Sequence, residues 1–307
     1  VAQGRLAIAG AIALAACGRH ESGPPPLGQA LTALLAAADH ARAPWRCAAL
    51  DTAAIPATRT GPWSIEEHTL KLDGKPEIVV GVIADAGGSA PGTLAALARL
   101  RVKLAHADIV VSLGGMGTSK AELEATLGTL ADRSRPLVAL AGDLEAETAQ
   151  TAAIAALAAK GNFVLDARQI RWIALDGATV ATLPGAGAVT RLVAGADGCG
   201  WRPADVAATY DALAADPGLR VAMLAEPPRA GTMGELALVP GPAVDVLLHP
   251  AGPLTPAREG SRDGQRVQLS PGTADAIPRL PETRAPSAGL LVIRRASWSW
   301  RPLVDER

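Results

Sequence analysis

From Ile78 onward, apolar and polar positions follow two alternating rhythms. Ile78–Ala84 is an almost unbroken β-branched and apolar run, the pattern of a strand buried on both faces. Ala90–Ala107 then sets Leu94, Leu97, Leu100 and Leu104 at helical spacing. The exchange repeats with strand Ile109–Leu113, helix Ser119–Ala131, strand Pro136–Leu140, helix Thr148–Lys160 and strand Phe163–Asp166. Such alternation predicts an α/β fold with a largely parallel sheet and helical crossovers. Trp172–Leu175 and Thr179–Leu183 flank the pair Asp176-Gly177, helix Pro203–Ala215 precedes strand Arg220–Leu224, and Val244–Leu248 is a further strand. The tail, through Arg266–Leu269, Gly289–Arg294 and Trp298–Leu303, is β-like, and the later strands together predict a second sheet layer.

The pattern before Ile78 is weaker. Leu27–Arg42 carries Leu27, Leu31, Leu34, Leu35 and Ala38 on one helical face. Ala43–Pro62 has three prolines and no period, and reads as a surface wrap. His68–Leu72, Asp73-Gly74 and the Ile78 run together predict a hairpin. The chain therefore divides into residues 1–17, an extension over 18–76 and a main domain over 77–307.

Composition narrows the function classes. The chain has 307 residues, 49% apolar and 19% charged, enough for a sizeable core. One Tyr, one Phe and six Trp leave that core to be built from Ala, Leu and Val, with helices close to strands. A net charge of -1 without a basic block gives no footprint for nucleic acid.

The N-terminus carries a separate signal. Arg5 precedes the apolar run Leu6–Ala16, and Cys17 follows it. Eleven residues of helix rise only ~16 Å, too little for a hydrocarbon core of ~30 Å. A basic n-region, short apolar run and small residues match a secretory signal. Leu14-Ala15-Ala16-Cys17 resembles the lipobox of bacterial lipoproteins. That resemblance implies acylation of Cys17, a membrane partner through the lipid, and a place in the cell envelope, on the periplasmic or outer-membrane face. Gly18–Pro26, polar and proline-rich, reads as the tether. With Cys17 lipidated, Cys47 and Cys199 remain as an even pair in an oxidising compartment. They read as a disulfide tying the extension to the main domain, two buried free thiols being the alternative.

The strand ends are where an open α/β sheet collects its ligands. Asp85 stands at the first of them. Five frames follow the strands: VIADAGG, ADIVVSLGGMG, RPLVALAGDLE, RVAMLAEPPRAG and VDVLLHPAGP. From Ile78 to about Leu303 they resemble, in order and spacing, the motifs of calcineurin-like metallophosphoesterases. The Pro-Pro after the fourth strand and the turn Ser270-Pro271-Gly272-Thr273 fit as well. The resemblance implies a two-sheet αββα sandwich with metal ligands on consecutive strand-end loops.

The ligands themselves are mostly replaced. Asp85 keeps the first aspartate, but the histidine two residues on is Gly87 and the bridging aspartate falls on Gly115. The third motif reads Asp143, Leu144, Glu145 where the family has Asn, His and an acid. The fourth-motif histidine falls on Ala225, beside Glu226, and the last motif has neither histidine, with His249 just before it. A two-metal hydrolase needs a bridging group and holds its ions ~3.5–4 Å apart. Gly115 supplies no carboxylate for it. Asp85, Asp143 and Glu145 are the remaining metal candidates, and as an oxygen set they suit at most one hard cation, Mg²⁺ or Ca²⁺. The reading is thus a catalytically inactive member of this fold with no cofactor, serving binding or structure; a phosphoester hydrolase with a remodelled one-cation site is the alternative.

The candidate residues also have structural readings. Asp85 can cap or turn the chain, and Asp143 can N-cap a helix with Glu145 and Glu147 in its first turn. Gly114–Lys120, GGMGTSK, offers a phosphate loop without the Walker A order, and a third reading is a nucleotide or sugar-phosphate receptor. His249 reads as a structural or surface histidine, and Trp298 and Trp300 as core or edge packing on one face of a strand.

Overall fold

The computed structural model describes residues 45–52, 55–187, 192–193, 197–227, 244–250, 261–263, 266–275, 277–278, 283–295 and 297–305. Cys17 and the helical pattern of residues 27–42 lie outside them. In chain order the short β1 (Trp45–Arg46) precedes β2 (Ile55–Thr60), β3 (Trp63–Glu67) and β4 (Thr69–Leu72). Next come β5 (Ile78–Ile83), α1 (Pro91–Lys103), β6 (Ile109–Ser112), α2 (Lys120–Leu130), β7 (Leu137–Ala139), α3 (Glu147–Ala159) and β8 (Val164–Asp166). β9 (Trp172–Leu175), β10 (Ala178–Leu183), β11 (Cys199–Gly200), α4 (Pro203–Ala214), β12 (Leu219–Leu224) and β13 (Val246–Leu248) follow. The tail holds β14 (Ser261–Asp263), β15 (Arg266–Leu269), β16 (Ile277–Pro278), β17 (Thr283–Arg284), β18 (Ser287–Arg294) and β19 (Ser297–Val304).

Two sheets carry the fold. One has six strands in the order β19-β18-β5-β6-β7-β8, the other nine in the order β14-β15-β13-β12-β10-β9-β4-β3-β2. β5 to β8 are mutually parallel, and β18 closes antiparallel onto β5. The main core lies between the sheets: Val80, Val82, Val111 and Val138 from one meet Leu70, Ile173, Val180 and Val221 from the other. Leu97, Leu100, Leu123, Leu127 and Leu157 of α1–α3 cover the far face of the six-stranded sheet. Val206, Tyr210 and Leu213 of α4 cover the far face of the nine-stranded one. The layering is therefore αββα, as expected for a metallophosphoesterase-like two-sheet sandwich.

Local chemistry explains the elements. β5 is buried on both faces because helices cover one side and the second sheet the other. Gly81 within it lets α1 come close; a β-carbon there would lie 3.0 Å from Leu104 Cδ2. α1 starts with proline in its first turn and ends with Arg101 and Lys103, which suit the helix dipole. Ser119 caps α2 in a reciprocal box with Glu122.

Three expectations are corrected. The last tail strands, β18 and β19, do not join a second layer: β18 pairs antiparallel with β5 and β19 with β18, so both extend the first, six-stranded sheet. His68–Leu72 and the Ile78 run do not form a hairpin: β4 belongs to the nine-stranded sheet and β5 to the six-stranded one. Asp73-Gly74 turns the chain from one layer to the other because β3 already occupies the antiparallel edge of β4. Nor is residues 43–62 only a surface wrap. It contains β2, an exposed edge strand paired with β3. β4 in turn pairs in parallel with β9, so the segment before residue 77 supplies strands to the main sheet.

Candidate functional site at the strand ends

The loops after β5, β6 and β7 converge, and the turn before β16 closes on them. Asp85 has φ 55°, a left-handed conformation rare outside glycine. Its N–H donates to the Gly114 carbonyl at 3.0 Å, and the Gly87 N–H donates to the Gly115 carbonyl at 2.8 Å. The Asp85 carbonyl accepts from the Thr273 hydroxyl at 2.7 Å and from the Asp275 N–H at 3.3 Å. Asp275 in turn accepts from Thr93 Oγ1 of α1 at 2.8 Å. The Ser270–Thr273 turn thus clamps the first loop from the C-terminal side.

Gly115 marks the change from a metal frame. Its φ is 71°, and a β-carbon there would fall 2.4 Å from Asp85 Oδ1 and 2.9 Å from Asp85 Cα. The slot that the resemblance gives to a bridging aspartate is filled by the Asp85 carboxylate.

Glu145 is fully buried. Its Oε1 accepts from the Met116 N–H at 2.6 Å and its Oε2 from the Gly142 N–H at 2.8 Å. The carboxylate staples the second strand-end loop to the third. Burial raises its pKa above the ordinary range, opposed by the N–H groups of Gly142, Met116 and Gly115 and reinforced by the charge of Asp143. Both oxygens are thereby committed to backbone donors.

Asp143 is half-buried and is not a helix cap, which corrects that reading. α3 begins at Glu147, with Ala146 at the N-cap making no side-chain bond. The cap comes from Asp197, 49 residues away, whose oxygens accept from Thr148 N at 2.8 Å and Thr148 Oγ1 at 2.9 Å. The Asp143 carbonyl instead accepts from the Leu192 and Val193 N–H groups at 3.0 and 3.3 Å. Among the described residues, no three His, Cys, Asp or Glu side chains are placed to hold a metal ion. Asp85, Asp143 and Glu145 are neighbours on adjacent loops but do not form a three-ligand cradle.

The phosphate-loop reading fails on its donors. Met116 N goes to Glu145, while Thr118 N and Ser119 N go to Glu122 Oε2 at 2.9 and 3.3 Å. Thr118 holds the Glu122 pKa below the ordinary range, so an internal carboxylate already plays the anion. After β12, Glu226 is buried and accepts from Gly187 N at 2.8 Å and Trp201 Nε1 at 3.3 Å. His249 donates its Nδ1–H to the Pro250 carbonyl at 2.8 Å, and burial lowers its pKa.

Cys47 and Cys199 are bonded, with Cα atoms 5.4 Å apart. β1 and β11 pair in parallel around the bond, which packs against Ala141 at the end of β7. Arg171 supports this strap from below and was not legible as a functional or structural anchor. It is fully buried and donates to Ala49 O at 3.0 Å and to Thr182 O at 2.7 and 3.0 Å.

No family model matches the chain, and no curated protein matches it in sequence. Similar solved structures include TT1561 of Thermus thermophilus, with TM-score 0.46 and 12% identity over 73% of this chain and 98% of that one. GAP50, the anchor in the inner membrane complex of Plasmodium, gives 0.47 and 9% over 75% and 85%. Purple acid phosphatase PPD1 from yellow lupin seeds gives 0.46 and 13% over 78% and 54%. At these scores and identities the matches say nothing of the site, whose chemistry rests on its own residues.

Proposed function

We propose that this chain is an exported, lipid-anchored protein of the bacterial cell envelope that uses a metallophosphoesterase-like sandwich for binding or structure, without catalysis. The observation that carries the reading is the Asp85 carboxylate lying on Gly115, in the slot a bridging acid would need. Two-metal hydrolysis depends on that bridge and on imidazole and carboxylate ligands around it. Here the strand-end acids hold loops together: Asp85 fills the space over Gly115 and Glu145 staples Met116 to Gly142. A single Mg²⁺ or Ca²⁺ on Asp85, Asp143 and Glu145 would have to reach Glu145, which is fully buried and whose two oxygens hold Met116 N–H and Gly142 N–H. The export part of the reading rests on the Leu14–Cys17 motif and agrees with a Cys47–Cys199 bond, which persists in oxidising compartments.

Metal analysis of the purified protein with phosphomonoester and phosphodiester assays tests the inactivity. The expected result is no stoichiometric metal and no turnover. Stoichiometric Mn, Fe or Zn with turnover that disappears in Asp85→Ala would overturn it. Fractionation of cells expressing Cys17→Ser tests the anchor: the variant should leave the membrane fraction, and its retention there refutes lipidation at Cys17.

A further inference from the structure

A cavity of about 750 Å³ opens at the amino ends of β6 and β7, between the C-terminal half of α1, the turn joining β2 to β3 and the loop from α2 to β7. The strand-end loops lie at the opposite, carboxyl end of the same sheet, and none of Asp85, Gly115, Asp143 or Glu145 lines the cavity. Its volume falls within the range of small-molecule sites, ~300–1,000 Å³.

Arg135 presents an open donor edge to this space. Its Nη1 donates to the Leu104 carbonyl just past α1 at 2.6 Å, which anchors the guanidinium plane. Among the described residues no carboxylate comes within ion-pair distance of Arg135, and its Nε and Nη2 have no hydrogen-bond partner. Neither atom is among the unpaired side-chain nitrogens shut off from solvent, so a bound molecule can reach both. Nε–H and the adjacent Nη2–H run parallel, and together they form the fork that takes both oxygens of one carboxylate.

The charges around the cavity leave one cation over. Asp108 accepts from the Val79 N–H at 2.9 Å and pairs with Lys75. Asp132 accepts from Ser134 N at 2.9 Å and Ser134 Oγ at 2.8 Å, and lies 3.8 Å from Arg101 Nη2. Three cations, Lys75, Arg101 and Arg135, thus meet two acids. Burial lowers the Arg135 pKa, opposed by the charge of Asp132 and reinforced by that of Arg101. A bound anion would supply the missing countercharge.

The rest of the wall decides what kind of anion. Pro62, Ala98 and Val102 line it, and Val102 is 74% exposed, one of two large apolar side chains so exposed among the described residues. Inorganic phosphate would leave that surface bare, whereas a carboxylate on an apolar body would cover it.

We infer that this cavity binds a small monocarboxylic acid with an apolar body, its carboxylate forked on Arg135 and its hydrocarbon on Val102. The inference does not rest on the strand-end loops, so it stands or falls separately from the absence of catalysis.

Ligand-detected NMR and titration calorimetry on the full chain test it, with benzoate, phenylacetate and hexanoate as probes. Benzamide, phenylacetamide and hexanamide serve as neutral controls, and inorganic phosphate as a bare anion. At least one acid should bind saturably in the millimolar range or tighter, and its amide should not. Arg135→Lys should weaken that acid roughly tenfold, because a point charge cannot make the fork. Val102→Asp, on the exposed rim, should weaken it as much by repelling the carboxylate. Both variants should keep the wild-type far-UV spectrum; if Arg135→Lys does not fold, Val102→Asp decides. Saturable binding of none of the three acids, equal binding of acid and amide, phosphate binding at least as tight, or binding indifferent to either folded variant would each overturn the inference.

Discussion

The carboxylate of Asp85 lies over the α-carbon of Gly115, so that a β-carbon at position 115 would fall 2.4 Å from Asp85 Oδ1. The two positions that a binuclear metal site would need as partners exclude one another here. Restoring the missing acid as Gly115→Asp should therefore destabilise the fold without creating a metal site. A left-handed φ of 71° and the overlap with Asp85 act together. The expected loss is roughly 2–4 kcal/mol, read as a lower urea midpoint at unchanged slope. A variant as stable as the wild type that gains stoichiometric Mn or Zn would contradict this.

His249 gives the fold a pH dependence of defined sign. Burial lowers its pKa from 6.5, only partly offset by Pro250 and Gln268. A folded pKa below the unfolded one means that the unfolded chain binds the proton first as pH falls. Stability is thus intact above about pH 6.5 and declines as pH drops through the depressed folded value. His249→Asn keeps an N–H for the Pro250 carbonyl and removes the titration. Thermal melts from pH 7.5 to 5 should show a shallower acid-side decline in the variant; parallel profiles would exclude His249 as the source.

The layers of this fold were legible because their strands and helices have the right periods. Ile78–Ala84 and the leucines of α1 predicted a parallel sheet and its cover, and the six-stranded sheet follows them closely. What the pattern could not reveal is which layer a short strand joins. Thr69–Leu72 alternates as a hairpin arm would, yet it pairs with β3 and β9 in the other sheet, a choice set by contacts about 100 residues apart. The site shows the same limit. That Gly115 cannot bridge metals is readable from its identity, whereas the stapling by Glu145 and the remote capping of α3 by Asp197 depend on loops meeting in space. No local motif announces either.

The Cys47–Cys199 bond closes a sequence separation of 152 residues. Replacing both cysteines by alanine should cost about 2–4 kcal/mol, chiefly by freeing the unfolded chain. The same loss should appear when the wild type is unfolded in the presence of a reductant, and the reductant should not move the double variant. Equal urea midpoints for oxidised wild type and double variant would show that the strap adds no stability.

Among the described residues, Arg171 is the largest fully buried side chain, and none of their carboxylates lies within its hydrogen-bond shell. Burial draws its pKa down to about 10, so it remains a cation at neutral pH, steadied by the charge of Asp205. Its guanidinium directs its donors to carbonyls: two bonds to Thr182 O in β10 and one to Ala49 O in the strap. One planar group thereby joins the second sheet to the segment that carries Cys47. Arg171→Lys keeps the charge but gathers its donors on one nitrogen at a shorter reach, which cannot span both carbonyls. Leaving one buried carbonyl unpaired while a charge stays buried should cost roughly 2–4 kcal/mol. Because the lost bond reaches Ala49, amide exchange at Cys47, which donates to Gly200 O, should rise more than exchange in β5. Uniform loss of protection across both sheets would mean that Arg171 supports the whole core and not the strap.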